Sequence, residues 1–171
     1  TKYPTPYEHA AESALLEVDC ETMAMPLLGG NMELFNVSAS STTASNDYLK
    51  SPEAFNTWLV ERFRDYTAYS AGHQISSAIG PIINAGYLDE TVEFLKGIQN
   101  ENGFWYGNSE QEGTLSYAAT DGAMKISGAF SHANEPYPHI QELFENTVAI
   151  ILSDEVPSYI TSVWNPLVLL N

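Results

Sequence analysis

A chain of 171 residues has the size of one domain or of a large part of one. Hydrophobic residues make up 44% and aromatic residues 12%, enough to build a core, which excludes global disorder. Six Lys and Arg stand against 22 Asp and Glu, a formal charge of −16. Such a surface repels phosphate backbones and anionic lipids, so nucleic acid and membranes are poor partners and a neutral ligand is favoured.

The first predicted element is a helix over residues 6–25, where apolar residues recur at helical spacing. It contains Cys20, the only cysteine, so an internal disulfide and a cysteine-based zinc site are both excluded. We expect this cysteine to be a small core residue. Residues 36–47 are rich in Ser, Thr and Asn and predict a flexible loop, with Asn36 in an N-glycosylation acceptor pattern.

The clearest helix start follows this loop. Ser51 is a favourable N-cap and Pro52 suits the first helical position. A second helix, over residues 69–86, is rich in Ala, Gly and Ser and can pack closely against a neighbour. We expect Pro81 to kink or divide it and Gly86 to end it.

The same order of helices then recurs. An amphipathic helix over residues 88–99 is followed by a loop, by a second small-residue helix at 114–133 and by a second amphipathic helix at 136–155. Sliding the first pair onto the second by 48 positions aligns Tyr69 with Tyr117, Ala71 with Ala119 and His73 with Asp121. A period in this range predicts repeated helical hairpins. No stretch shows the alternation of a strand, so the predicted class is all-α, with residues 1–171 as a single helical domain.

The segment FLKGIQNENGFWYG, residues 94–107, resembles the helix-end motif of the α/α-toroid repeat. In terpenoid cyclases, protein prenyltransferase β-subunits and carbohydrate-active toroids, an outer helix ends in Gln, followed by an acidic residue or Asn, then Gly and an aromatic residue. The matching positions here are Gln99, Glu101, Gly103 and Phe104 or Trp105. The resemblance implies an α/α toroid or partial toroid whose inner ring is formed by the small-residue helices. Since 171 residues hold fewer hairpins than a closed toroid, we expect further chain segments or a second copy in a homo-oligomer to complete it.

The consecutive aromatic residues of this loop have two interpretations. We expect Phe104 or Trp105 to be buried against the end of the preceding helix and Tyr106 to be more exposed. Aromatic rings at a toroid rim also stack on sugar rings. Trp105, Tyr106 and Tyr69 are therefore the candidate ligand-binding residues.

The polar positions of the small-residue helices are the candidate catalytic residues. The candidates are His73, Tyr117 and Asp121, together with Glu112 in the loop before the second small-residue helix. Tyr, His and carboxylate side chains that converge in a cleft can donate and accept protons. Structural interpretations remain open for three of them: an i,i+4 salt bridge between Asp121 and Lys125, a hydrogen-bonded core His73, and a solvated Glu112.

These features favour a carbohydrate-active protein that binds a neutral glycan or hydrolyses it with a general acid and a general base. A non-catalytic scaffold or binding module is the first alternative. An isoprenoid-type cyclase is the second, although the sequence lacks the Asp-rich acid motif of the squalene type. No spacing of metal ligands and no phosphate loop points to a cofactor. The compartment stays open, with a slight preference for an extracellular or secreted location.

Overall fold

A computed structural model describes residues 46–171, and over this range the chain is helical and contains no strand. A short 3-10 helix, Asn46–Leu49, precedes seven α-helices. These are α1 (Pro52–Asp65), α2 (Ala68–Ser77), α3 (Ile79–Ala85), α4 (Leu88–Gly97), α5 (Tyr117–Ala133), α6 (Ile140–Ile151) and α7 (Ile160–Leu169). The all-α prediction is confirmed for these residues. The expected helix at 6–25, Cys20, Asn36 and most of the 36–47 loop lie outside the described residues.

The predicted helix boundaries in this range follow from local chemistry. The Ser51 side chain accepts a hydrogen bond from the Ala54 amide at 3.2 Å and caps α1. The predicted second helix is divided into α2 and α3 at Ala78. Pro81 explains the position of the break, because it has no N–H and its ring crowds the carbonyl group four residues earlier. Gly86 ends α3 in the left-handed region, with φ of 81°.

The small-residue helices α2 and α5 pack closely and run in the same direction. A Cβ atom on Gly122 would lie 2.9 Å from the Ala68 side chain, and one on Gly72 would lie 2.9 Å from the Ile126 side chain. Residue 68 is therefore level with residue 122, and residue 72 with residue 126. The 48-residue alignment pairs residue 68 with Ser116 instead, so it does not match the packing register of α2 against α5.

Helix α5 lies at the centre of the described residues. It contacts α2 and α7 extensively, and α4 also packs against it. Helix α1 packs against α2, and α6 packs against α7. In each of three pairs taken in chain order, the two helices are therefore in contact: α1 with α2, α4 with α5, and α6 with α7. The core between them includes Phe55, Ile75, Leu95, Ile126 and Phe130.

The loop after α4 forms a corner that is held by hydrogen bonds and close packing. Gln99 is buried; its amide group donates to the Gly103 carbonyl at 2.7 Å, and its side-chain oxygen accepts from the His139 amide at 3.2 Å. Gly103 has φ of 89°, and a Cβ atom there would lie 2.3 Å from the Leu143 backbone nitrogen. The Gln and Gly of the motif thus join the end of α4 to the start of α6.

The aromatic residues of this corner are structural. Phe104 and Trp105 are fully buried, and the Trp105 indole N–H donates to the Leu95 carbonyl at 2.8 Å. The predicted burial is confirmed. The Trp105 ring has no exposed face, so in this structure it is not available to stack on a ligand. Tyr106 is partly exposed, but its hydroxyl donates to the Thr114 carbonyl and accepts from Asn102, both at 2.8 Å. Tyr106 therefore holds the loop together.

Candidate functional site

Polar side chains from α2, α5 and α7 meet beside the α2–α5 contact. We call them the inner polar cluster: Tyr69, His73, Asp121, Lys125, Ser162 and Asn165. The cluster exists because the small residues of α2 and α5 let the two backbones approach closely. Side chains that lie next to this contact are thereby brought together.

Asp121 is the centre of the inner polar cluster. Its two carboxylate oxygens accept hydrogen bonds from the Ser162 hydroxyl and from the Asn165 side-chain amide, each at 2.7 Å. Both donors are buried, whereas Asp121 is partly exposed. The alternative salt bridge to Lys125 is wrong, since within residues 46–171 the hydrogen-bond partners of Asp121 are these two neutral groups. The carboxylate is thus held in a fixed orientation without being neutralised.

Tyr69 presents the aromatic surface of the cluster. It is 42% exposed; His73 stacks on it with ring centroids 6.4 Å apart, and the Lys125 ammonium lies 5.5 Å from its ring centroid. Burial raises the pKa of Tyr69, and the negative charge of Asp121 raises it further. The phenol therefore stays protonated at neutral pH and can donate a hydrogen bond, but it is unsuited to act as a base.

The structure places the other two catalytic candidates differently. The Tyr117 ring packs against the hydrophobic core, and its backbone N–H lies 3.3 Å from both carboxylate oxygens of Glu155. Glu112 is exposed in the loop before α5. Burial raises the pKa of Tyr106, and the charges of Glu110 and Glu112 raise it further, whereas Asp121 is the carboxylate whose charge raises the pKa of Tyr69. Of the four catalytic candidates, His73 and Asp121 belong to the cluster.

Glu110 supports the cluster from outside. One of its carboxylate oxygens accepts hydrogen bonds from the amides of Gly107 and Ala68, both at 2.7 Å. It satisfies a free N–H group at the start of α2, where a negative charge is favoured by the helix dipole. The loop after α4 therefore fixes the turn of α2 that carries Tyr69.

Sequence reasoning missed Ser162, Asn165 and Glu155. The first two are polar residues three positions apart in the otherwise apolar segment ITSVWNPLVL. That spacing places two polar side chains on one face of a helix. It was the available signal that this face meets other polar groups.

A second surface feature lies between the 3-10 helix and α1. It is an open groove of about 400 Å³ lined in part by Tyr48, Glu53, Trp58 and Glu61. The Trp58 ring stacks on Tyr48 with centroids 4.5 Å apart and is only partly exposed, whereas Tyr69 is 42% exposed. The groove thus offers a ligand less free aromatic surface than Tyr69 does.

Within residues 46–171, no three His, Asp or Glu side chains are grouped closely enough to hold a metal ion. None of the helices in this range is long and apolar enough to cross a membrane. Comparison of the chain with family models, with curated proteins and with solved structures finds no match.

Proposed function

We propose that α2, α5 and α7 are neighbouring inner helices of an α/α toroid-type arrangement and that the inner polar cluster binds a neutral glycan. The main observation behind this proposal is the Asp121 carboxylate. Two buried neutral donors orient it, and it lies near the exposed ring of Tyr69. The close, same-direction packing of α2 and α5 supports the inner-helix assignment.

The chemistry of the cluster suits sugar hydroxyl groups. A carboxylate has about four lone-pair sites, and Ser162 and Asn165 occupy two of those on Asp121. The remaining sites can accept from hydroxyl groups, while the Tyr69 ring offers an apolar face and its hydroxyl a donor. The formal charge of −16 disfavours sulfated and uronic polymers, which leaves neutral glycans as the ligand class.

The binding proposal predicts a specific loss of affinity. Titration calorimetry with cellohexaose, mannohexaose and xylohexaose should give a dissociation constant for at least one of them. The Asp121→Asn variant should weaken that binding at least tenfold, because it replaces a charged acceptor by a neutral one. Asp89→Asn, at an exposed site in the first turn of α4, is the matched control and should bind normally. Equal affinity of the two variants would contradict the proposal, as would the absence of binding to all three sugars.

Glycoside hydrolysis is the second candidate function, because a second carboxylate lies at the start of the helix that carries Asp121. The Glu155 carboxylate accepts from the backbone N–H of Tyr117, the first residue of α5. Glycosidases use two carboxylates as general acid with general base or nucleophile. Release of reducing ends from the bound hexasaccharide should then be abolished by Glu155→Gln but not by Glu112→Gln. If sugar binds and no reducing ends form, the protein is a binding module.

A further inference from the structure

Helix α7 has its polar side inward and its apolar side outward. Ser162 and Asn165 are buried against α5, whereas Ile160 is 84% exposed and Trp164 66% exposed. An ordinary surface helix has the opposite arrangement. We call the outward side the α7 apolar face: Tyr159, Ile160, Val163, Trp164, Leu167 and Val168.

The α7 apolar face is large enough to be an interface. Its members at 160, 163, 164 and 167 follow the i, i+3, i+4, i+7 spacing of a continuous stripe. From their exposed fractions, the six residues together present on the order of 800 Å² of accessible surface. Each partner contributes about this area to a standard interface. Scattered single hydrophobic residues are normal on a surface, but a contiguous patch of this size marks a contact site.

We propose that a second copy of this chain covers the α7 apolar face, with the two α7 helices packed against each other around a twofold axis. Residues 156–171 contain no Asp, Glu, Lys or Arg. Two copies, each with a formal charge of −16, can therefore meet there without opposing like charges. A twofold contact buries both apolar stripes at once and closes at two copies. Trp164, near the middle of the stripe, is a residue type enriched at the centre of interfaces.

A membrane surface fits this face less well. Helices that lie in a lipid interface carry Lys and Arg on their polar side. No Lys or Arg occurs after Lys125 in this chain, and the polar side of α7 is occupied by its contact with Asp121.

The oligomeric state of the full chain tests this proposal. Sedimentation equilibrium should give twice the monomer mass of 18.8 kDa at micromolar concentration, with no larger species as concentration rises. Val163→Asp should raise the dimer dissociation constant at least 100-fold. The new carboxylate lies in the first turn of α7, where the helix dipole favours it, so the variant should stay folded.

Val60→Asp is the matched control, because Val60 on α1 is 44% exposed and Val163 is 46% exposed. It introduces the same charge and should leave the dimer unchanged. Circular dichroism of both variants establishes that they are folded. Four results would overturn the proposal: a monomeric wild-type chain, a mass that grows without a plateau, a dimer that Val163→Asp leaves intact, and wild-type chain that co-sediments with phosphatidylcholine vesicles as a monomer.

Discussion

Replacement of Asp121 by Ala should destabilise the protein substantially, because this carboxylate joins α5 to α7. The change removes two hydrogen bonds to a charged acceptor and leaves the buried donors of Ser162 and Asn165 unpaired. Each unpaired buried group costs about 1–3 kcal/mol, and Asp121 is only partly buried, so water offsets some of the loss. We expect the free energy of unfolding to fall by about 3 kcal/mol, measured by urea denaturation.

Asp121→Asn provides the comparison. The Asn oxygen can accept from Asn165, and its amide can donate to the Ser162 hydroxyl, which rotates to accept. Both hydrogen bonds persist without the charge, so the expected cost is about 1 kcal/mol. A double-mutant cycle that combines Asp121→Ala with Ser162→Ala should give a coupling energy of about 1 kcal/mol or more between the two residues. A cost below about 1 kcal/mol for the Ala variant, or equal costs for Ala and Asn, would refute the reasoning.

Three further predictions concern the rest of the fold. Trp105→Ala should lower the free energy of unfolding by about 4 kcal/mol through cavity formation, and a urea-measured loss below about 1 kcal/mol would show that the ring is not structural. Gly103→Ala should lower the free energy of unfolding by about 3 kcal/mol or prevent folding, because the new Cβ clashes with the Leu143 backbone and φ is positive. Gly113→Ala, with φ of 82° and open space around it, should lower the free energy of unfolding by only about 1 kcal/mol. Burial raises the pKa of Tyr137, so above pH 10 the native state retains a proton that the unfolded state releases, and stability should fall. Urea unfolding between pH 9 and 11 should show a smaller fall for Tyr137→Phe.

The sequence was sufficient to predict the helices of residues 52–151 because their signals are local. Ser51 is a side-chain cap, Pro81 removes a hydrogen-bond donor, and Gly86 takes a left-handed conformation. Each acts within one turn of the chain. Helix α7 was not predicted, because its buried face is polar and its Pro166 lies within the helix. Both features contradict the usual pattern of a surface helix.

The site was predicted only in part, because its composition depends on which helices become neighbours. Tyr69, His73 and Asp121 could be named from their spacing on α2 and α5. The partners of Asp121 could not, since Ser162 and Asn165 lie about 40 residues further along the chain. The i,i+4 pairing of Asp121 with Lys125 was the natural local expectation. It failed because tertiary contacts give Asp121 two buried donors and place Lys125 over Tyr69.

The most direct test of a ligand site at the inner polar cluster is an NMR titration of the isotope-labelled chain. The ligand is the tightest-binding hexasaccharide of the three above. The side-chain amide of Asn165, which donates to Asp121, should shift with added sugar, together with the backbone amides of Tyr69 and His73. The indole N–H of Trp58, in the groove beside α1, should stay unchanged. A shift of the Trp58 indole with an unchanged Asn165 side chain would contradict the account.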